Sequence, residues 1–422
     1  MAFEATLECA RSLDEADVLA EFRERFELPH DAHGKPLVYL CGHSLGLMPR
    51  AARALVTQEL DDWSSLGVLG HESARRPWIP YHENLAAGLA ELTGGRAHEV
   101  VAMNSLTVNL HLMLASFYRP RGKRRKILIE AGAFPSDRHA VASQLEWRGL
   151  DPRSTLIELA PAAMEEAVSE EEIEGTLQQI GAEIALVLWP GVQYRTGQAF
   201  DLARIARAAH RARCLVGFDL AHSIGNTELA LARCGADFAV WCSYKYLNAG
   251  PGAIGGCFIH ERHLGMVQRP HLAGWWGHEA TTRFLMRPEF HAAAGAPGWQ
   301  LSNPAILAAA PLIASLEIFA AARLARLRAK SIALTDFLEF LLTRRLPAVR
   351  IITPREPAER GCQLSLRVAG GRSVFERLSA AGVVCDWREP DTLRVAPVPL
   401  YNCFEDVWRF SEQLAQVLGS GA

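Results

Sequence analysis

Residues 237–250 read Asp237-Phe238-Ala239-Val240-Trp241-Cys242-Ser243-Tyr244-Lys245-Tyr246-Leu247-Asn248-Ala249-Gly250. The apolar run at the start of this stretch is typical of a buried strand, and Lys245 follows it closely. Lysine is rarely buried without a partner, so its position here needs a reason. A lone lysine usually extends its amine to solvent from the end of a strand. The alternative is a lysine that forms an imine with a carbonyl cofactor and later transfers protons.

A second strand-like run ends in a carboxylate. Residues 214–222 read Cys214-Leu215-Val216-Gly217-Phe218-Asp219-Leu220-Ala221-His222. Open α/β sheets bind ligands beyond the carboxyl ends of their strands, which is where Asp219 is predicted to lie. A carboxylate there keeps the pyridine nitrogen of pyridoxal phosphate protonated, so that the ring accepts electrons. Asp also caps helices commonly, but Asp219 and Lys245 in this order favour a cofactor site.

Further segments match a known family together with these two. They are Gly42-His43-Ser44-Leu45-Gly46-Leu47, Leu106-Thr107-Val108-Asn109-Leu110-His111-Leu112, Phe134-Pro135-Ser136-Asp137, Gly274-Trp275-Trp276-Gly277-His278-Glu279, Ser302-Asn303-Pro304 and Leu393-Arg394-Val395-Ala396-Pro397. The segments are collinear and span most of the 422 residues, and in this the sequence resembles the kynureninases. These are fold-type I, class V aminotransferase-like enzymes that use pyridoxal 5′-phosphate. The resemblance implies an α/β fold with a large, mostly parallel-sheet domain and a smaller C-terminal α/β domain.

The length of the chain predicts two or three domains. We expect an N-terminal segment at 1–49 that packs with the small domain, a large cofactor-binding domain at 50–304, and a small C-terminal domain at 305–422. Helices are predicted at 12–26, 162–180, 201–213, 305–321 and 324–346.

Composition narrows the class of protein. The net charge of −3 gives no electrostatic case for a nucleic-acid partner. The nine cysteines include no Cys-x-x-Cys pair, which predicts reduced thiols rather than a disulfide framework or a zinc site, so no metal is expected. The acidic start of the chain predicts no signal peptide, and no apolar run approaches membrane-spanning length. We therefore expect a cytoplasmic protein with no membrane partner.

A polar segment before an apolar helix, residues 104–107, suggests a phosphate site, because amides at a helix N-terminus bind anions. Ordinary capping would explain the same pattern. The resemblance assigns cofactor binding to Leu106, Thr107, Phe134, Pro135, Ser136, Asp137, Asp219, His222, Tyr244, Lys245, Trp275 and Asn303. Within this set, Phe134 is expected to stack on the pyridoxal ring, Asp137 to lie near its polar edge, and His222 to orient the cofactor or its carboxylate partner. Better-known relatives have a hydroxyl residue at the position of Pro190, which puts one expected hydrogen bond to the cofactor in question.

The resemblance also implies the reaction. It is hydrolysis of L-kynurenine, and of its 3-hydroxy derivative, to anthranilate or 3-hydroxyanthranilate and L-alanine, in tryptophan catabolism by the kynurenine pathway and in NAD biosynthesis. The predicted catalytic residues are Lys245, Tyr244 as a general acid/base near the phosphate, and Asp219. The predicted substrate-binding residues are Ser44, His71, Trp276, Asn303 and Arg394. Arg394 is expected to bind the α-carboxylate bidentately, and His71 to lie beside the aromatic ring.

A homodimer with shared active sites is the expected assembly. Fold-type I enzymes form their sites at a two-fold interface, where each subunit completes the site of its partner. The loops that carry Trp275, Trp276 and Asn303 are the segments that the family lends across that interface.

Three other functions are considered. A sibling enzyme such as a cysteine desulfurase would need a nucleophilic cysteine in a mobile loop. A serine hydrolase is suggested by Gly-x-Ser-x-Gly at 42–46, although the motif comes before the strands that normally precede it. An inactive scaffold would have lost Lys245 or Asp219.

Gly-x-Gly-x-x-Gly at 250–255 is the dinucleotide fingerprint, but a strand rather than a helix is predicted after it, so NAD binding is not expected.

Overall fold

A computed structural model describes residues 3–163, 165–264 and 271–419. In chain order its α-helices are α1 (Leu7–Glu15), α2 (Arg50–Leu66), α3 (Gly70–Ser73), α4 (Glu83–Thr93), α5 (Leu106–Phe117), α6 (Pro135–Trp147), α7 (Pro152–Thr155), α8 (Glu170–Ile180), α9 (Leu202–Arg211), α10 (Leu231–Cys234), α11 (Ile306–Ala322), α12 (Leu324–Arg345), α13 (Arg372–Ala380) and α14 (Phe404–Gly419). Its strands are β1 (Val38–Tyr39), β2 (Val100–Ala102), β3 (Lys126–Glu130), β4 (Leu156–Leu159), β5 (Ile184–Pro190), β6 (Leu215–Asp219), β7 (Phe238–Trp241), β8 (Gly256–Ile259), β9 (Arg350–Ile351), β10 (Leu364–Arg367), β11 (Val383–Val384), β12 (Asp386–Arg388) and β13 (Thr392–Val395).

The main sheet has seven strands in the order β2-β8-β7-β6-β5-β3-β4. Strand β8 runs antiparallel to both neighbours, and the other pairings are parallel. The two faces of the sheet belong to two buried apolar clusters, as expected for a parallel sheet covered on both sides. Strands β3, β5, β6 and β7 therefore deliver the loops after their carboxyl ends to one edge of the sheet.

A second, antiparallel sheet has the order β12-β13-β10-β9 and lies in the C-terminal part of the chain. Its apolar face packs with α12, α13 and α14 in a third buried cluster. The N-terminal segment joins this part, because β1 pairs in parallel with β11 and α1 packs on α14. Register in this sheet places Asp386 of β12 opposite Arg394 of β13.

Two helix predictions were wrong over part of their length. The helix expected at 12–26 ends at Glu15, because the Asp17 side chain accepts the Leu19 amide at 2.9 Å and forms a buried ion pair with Lys330 at 2.7 Å. The helix expected at 162–180 begins only at Glu170, where Ser169 forms a capping box, and position 164 lies outside the described residues. The helices expected at 201–213, 305–321 and 324–346 are present as α9, α11 and α12.

None of the nine cysteines takes part in a disulfide. Among the described residues, no single helix is long and apolar enough to cross a membrane. Helices α11 and α12 pass that test of length and composition only as a pair, and they are bent by 81° at their junction.

Candidate active site

A cavity of about 210 Å³ opens at the carboxyl edge of the main sheet. Nine of the predicted cofactor-binding residues line it, namely Leu106, Thr107, Phe134, Ser136, Asp137, Asp219, His222, Tyr244 and Lys245. They come from separate strand ends and helix starts, which the parallel sheet brings together. Pro135 is the first residue of α6 and does not line the cavity.

Lys245 lies four residues beyond the end of β7 and faces a histidine. Its Nζ is 3.0 Å from His222 Nε2. Burial is the main cause that holds the pKa of His222 well below its usual value, followed by the charge of Lys245. The imidazole is therefore neutral at pH 7 and accepts the hydrogen bond. His222 Nδ1 is buried without a hydrogen-bond partner among the described residues, so this polar atom is available to a bound group.

Three carboxyl groups meet in the cavity. Asp219 ends β6, is 8% exposed, and accepts the Ala221 amide at 2.7 Å through Oδ1. Burial first, and then the negative charge of Asp219, raises the pKa of Asp137. Burial also raises the pKa of Glu130 to about 8, against the hydrogen bond that Gln193 donates at 3.3 Å. This excess of carboxyl groups suits a positively charged partner such as a protonated pyridine nitrogen.

Helix α5 begins at the cavity with its amides unpaired. Its N-cap, Ser105, makes no side-chain capping bond, which leaves the first-turn amides and the positive helix end for an anion. Gly255 allows this placement, since a Cβ there would lie 2.8 Å from the Trp241 carbonyl and 3.2 Å from the Leu106 nitrogen. Backbone bonds between Gly255 and both Met103 and Asn104 hold the helix start in position. A phosphate group fits this end of the cavity.

The donor set therefore fits pyridoxal phosphate. The helix N-terminus matches the phosphate, Asp219 the ring nitrogen, and Lys245 the carbonyl. Phe134 offers an aromatic face, with its ring centroid 5.7 Å from Lys245 Nζ.

Arg394 lies beside the cavity rather than in its lining. It is 1% exposed, donates to the Tyr194 carbonyl at 2.6 Å, and forms an ion pair with Asp386. Its Nε is buried without a hydrogen-bond partner among the described residues. Ser44 is half-buried in a turn after β1 and also does not line the cavity.

Cys41, His43 and Asp386 place possible ligand atoms within 4.8 Å of one another. Burial, followed by the charge of Arg394, lowers the pKa of His43 to about 3, so this imidazole is neutral. Asp386 is already ion-paired with Arg394 and, at 3.0 Å, with Arg388. Those positive charges oppose a bound cation, so the cluster supports no metal site.

Four other predicted residues meet in a second cavity of about 390 Å³. They are His71, Trp275, Trp276 and Asn303. None of the four lines the Lys245 cavity. The structure thus brings these four residues together in a cavity that is separate from the Lys245 cavity of the same chain.

Several residues of the Lys245 cavity were missed from the sequence. Glu130 ends a buried strand in the same way as Asp219, and this pattern could have revealed it. Tyr194 and Val192 lie on the loop after β5, which carries no motif.

Pro190 lines the cavity opposite Asp219 in the strand register, and its ring offers no hydrogen-bond donor.

Neither of the two misleading motifs lies in the structural context that its suggested function requires. The two-residue strand β1 before Ser44 pairs with β11 of the C-terminal part, so residues 42–46 do not form a nucleophile elbow on the main sheet. Residues 250–255 are followed by strand β8, as expected, and this excludes a dinucleotide fingerprint. No cysteine is among the described residues that line the Lys245 cavity, which argues against a desulfurase.

The open α/β sheet, the lysine beyond β7 and the carboxylate at the end of β6 define a pyridoxal-phosphate enzyme of fold type I. Solved structures agree on the fold. A C-DES mutant with glycine covalently linked to its PLP cofactor matches with a TM-score of 0.77 at 20% identity, covering 90% of this chain and 96% of that one. The cysteine desulfurase CsdA of Escherichia coli matches with a TM-score of 0.76 at 19% identity, covering 95% and 98%.

Sequence comparison identifies the family. A kynureninase of Xanthomonas campestris pv. campestris (strain 8004) is 56% identical over 410 residues, 96% of each chain. A kynureninase of Koribacter versatilis (strain Ellin345) is 54% identical over 414 residues, 98% of each chain. The model of the kynureninase C-terminal domain matches residues 327–414. This chain belongs to the kynureninase family.

These comparisons confirm five predictions. They are the family, the fold-type I α/β fold, the kynureninase function, the pyridoxal 5′-phosphate cofactor, and the enzyme class of a hydrolase acting on carbon–carbon bonds. The serine hydrolase and desulfurase alternatives are not supported.

Proposed function

We propose that the Lys245 cavity cleaves the Cβ–Cγ bond of L-kynurenine with water, giving anthranilate and L-alanine. The observation that carries this is the meeting of Lys245, His222 and Asp219 in one cavity of a chain 56% identical to a kynureninase. Pyridoxal phosphate, when bound, supplies the carbonyl for the lysine and an electron sink.

Lys245 moves the proton at the substrate Cα. The neutral imidazole of His222 accepts a hydrogen bond from Nζ at 3.0 Å, which aims the amine and does not compete for the substrate proton. Asp219 holds the proton of the ring nitrogen from a position that is 8% exposed, where little water screens its charge.

Tyr244 acts as a general acid. Burial is the main cause that raises its pKa above the ordinary value, so the phenol keeps its proton at neutral pH. Once the Cβ–Cγ bond breaks, Cβ needs a proton to become the methyl group of alanine. A protonated phenol that lines the same cavity can donate that proton.

Arg394 anchors the substrate α-carboxylate. Its buried and unpaired Nε leaves donor capacity that a carboxylate would use. Asp386 and the Tyr194 carbonyl hold the remaining guanidinium nitrogens, so the side chain is fixed before substrate arrives.

The assembly is a homodimer with shared sites. Exposed apolar side chains surround the second cavity, including Val68 at 76%, Leu69 at 65% and Phe284 at 55% exposure. A continuous patch of this kind is typical of an interface. A second copy that covers it would receive His71, Trp275, Trp276 and Asn303 beside its own Lys245 cavity.

His71 and Asn303 then contact substituents of the aromatic ring, which accommodates both kynurenine and its 3-hydroxy derivative. We also propose a cytoplasmic location and the division into 1–49, 50–304 and 305–422.

The shared sites are tested by mixing two inactive variants, Lys245→Ala and Asn303→Ala, under conditions that allow subunit exchange. Shared sites give each hybrid dimer one intact site, so about a quarter of the parent activity returns when hybrids make up half of the dimers. No recovery despite proven exchange would place Asn303 in the site of its own chain. No anthranilate from kynurenine by the PLP-loaded parent would refute the reaction itself.

A further inference from the structure

The loop after β5, residues 191–197, is held by side chains from the C-terminal part of the chain. Three successive carbonyls of this loop accept hydrogen bonds from that part. The contacts are Arg394 Nη1 to Tyr194 O at 2.6 Å, Gln363 Nε2 to Tyr194 O at 3.0 Å, Ser365 Oγ to Arg195 O, and Thr353 Oγ1 to Thr196 O.

These contacts are shielded from water. Gln363 and Arg394 are each 1% exposed, and Ser365 is fully buried. A buried donor that loses its acceptor is not compensated by solvent, so these bonds fix the loop in one conformation. Two of them converge on a single carbonyl, that of Tyr194.

The side chain of Tyr194 extends the same constraint to the cavity. Its ring lies edge-on to Phe134, with centroids 5.2 Å apart and planes at 86°. Both rings line the cavity that contains Lys245. Tyr194 therefore touches the proposed carboxylate anchor through its backbone and the aromatic wall of the cofactor site through its ring.

We propose that Tyr194 is a positioning residue that couples the carboxylate anchor Arg394 to the Phe134 wall of the cofactor cavity. Its carbonyl fixes the direction of the guanidinium, and its ring limits the orientations of Phe134. The inference rests on the proposed function, because it takes Arg394 as the anchor and Phe134 as the ring contact. It goes beyond that function by assigning a role to a residue on a loop that carries no recognised motif.

Three variants separate the two halves of this role. Tyr194→Phe keeps both the ring and the backbone, Tyr194→Ala removes the ring, and Gln363→Met removes one donor to the carbonyl at similar volume. Trp147→Ala is the control, since Trp147 is a 69% exposed aromatic residue at the end of α6, outside the cavity.

The first readout is binding of pyridoxal phosphate to the cofactor-free protein, measured by absorbance titration. An aromatic pair of this geometry contributes enough that Tyr194→Ala should raise the dissociation constant about 2- to 10-fold. Tyr194→Phe and Trp147→Ala should leave it unchanged. In a double-mutant cycle, Tyr194→Ala should add little to Phe134→Ala, because Tyr194 acts on the cofactor through the Phe134 ring.

The second readout is steady-state kinetics with kynurenine. Gln363→Met should raise KM more than it lowers kcat, because it weakens only the carbonyl side of the contact, while Tyr194→Phe behaves as the parent. Unchanged cofactor binding in Tyr194→Ala, unchanged KM in Gln363→Met, or full additivity of Tyr194→Ala with Phe134→Ala would overturn the inference. If Gln363→Met does not fold, the Tyr194 variants still test the inference, because Tyr194 is only half-buried. A parent that binds the cofactor but cleaves no kynurenine would refute the proposed function instead, and the binding cycle would remain readable.

Discussion

Replacing Gly255 with Ala tests how the chain forms its phosphate site. The added Cβ would lie 2.8 Å from the Trp241 carbonyl and 3.2 Å from the Leu106 nitrogen, where ordinary contact begins at 3.4 Å. The backbone at Gly255 must therefore move by about 0.6 Å from the Trp241 carbonyl (3.4 minus 2.8 Å) and by about 0.2 Å from the Leu106 nitrogen (3.4 minus 3.2 Å). Overpacking of this kind costs about 1–3 kcal/mol of unfolding free energy.

The same movement turns the first amides of α5 away from the anion. A partly buried helix end contributes up to about 2 kcal/mol to anion binding, so affinity for pyridoxal phosphate should fall between about 2- and 30-fold. The assay is titration of the cofactor-free variant with pyridoxal phosphate, together with its thermal unfolding.

Two glycines provide matched controls. Gly252 has φ +72° and open space around it, so Gly252→Ala meets backbone strain but no steric clash. Gly175 lies within α8 and has open space where an added Cβ would lie, so Gly175→Ala should be neutral or stabilising by about 0.5–1 kcal/mol. If Gly255→Ala binds the cofactor as tightly as Gly175→Ala does, the close approach of Gly255 to α5 does not position the phosphate site.

Three further outcomes are expected. Asp219→Asn should lower kcat by orders of magnitude, since an ion pair at about 4 Å in an effective dielectric of about 20 contributes roughly 4 kcal/mol. A near-normal kcat in steady-state assays would mean that Asp219 acts only as a helix cap. Pro190→Ser should bind pyridoxal phosphate at least as tightly as the parent in an absorbance titration, and weaker binding would mean that a hydroxyl group at position 190 does not bind the cofactor. Glu130 has its pKa raised to about 8 in the folded, cofactor-free protein, so its contribution destabilises the fold progressively as pH rises from about 4.5 to 8. Glu130→Gln should therefore gain stability over the parent across that range in urea unfolding, and a difference that does not change with pH would contradict the burial argument.

The sequence alone predicts that Lys245 and Asp219 lie close together, because the position of a side chain at a strand end is a local property. An apolar run followed by Lys245, and another ending in Asp219, place both groups at one edge of a parallel sheet without knowledge of the packing. The cofactor residues of α5 and α6 followed from the resemblance, and nine of the predicted cofactor-binding residues line one cavity.

The contacts between distant segments could not be predicted. The hydrogen bond between His222 and Lys245 depends on the conformations of the loops after β6 and β7. The ion pair between Arg394 and Asp386 depends on the register of β12 and β13. The second cavity, which holds His71 and Asn303, assembles from the short helix α3 and from loops distant in sequence, and no local pattern encodes how these segments pack. The helix expected at 12–26 failed for the same reason, since Asp17 is recruited by Lys330 more than three hundred residues away.

We propose that Lys245 is the residue that binds pyridoxal phosphate covalently. The chain has five lysines, at positions 35, 123, 126, 245 and 330. Borohydride reduction of the PLP-loaded protein, followed by peptide mapping with mass spectrometry, should place one phosphopyridoxyl group on the peptide that contains Lys245. A label on any of the other four lysines, or no label at all, would show that Lys245 does not hold the cofactor.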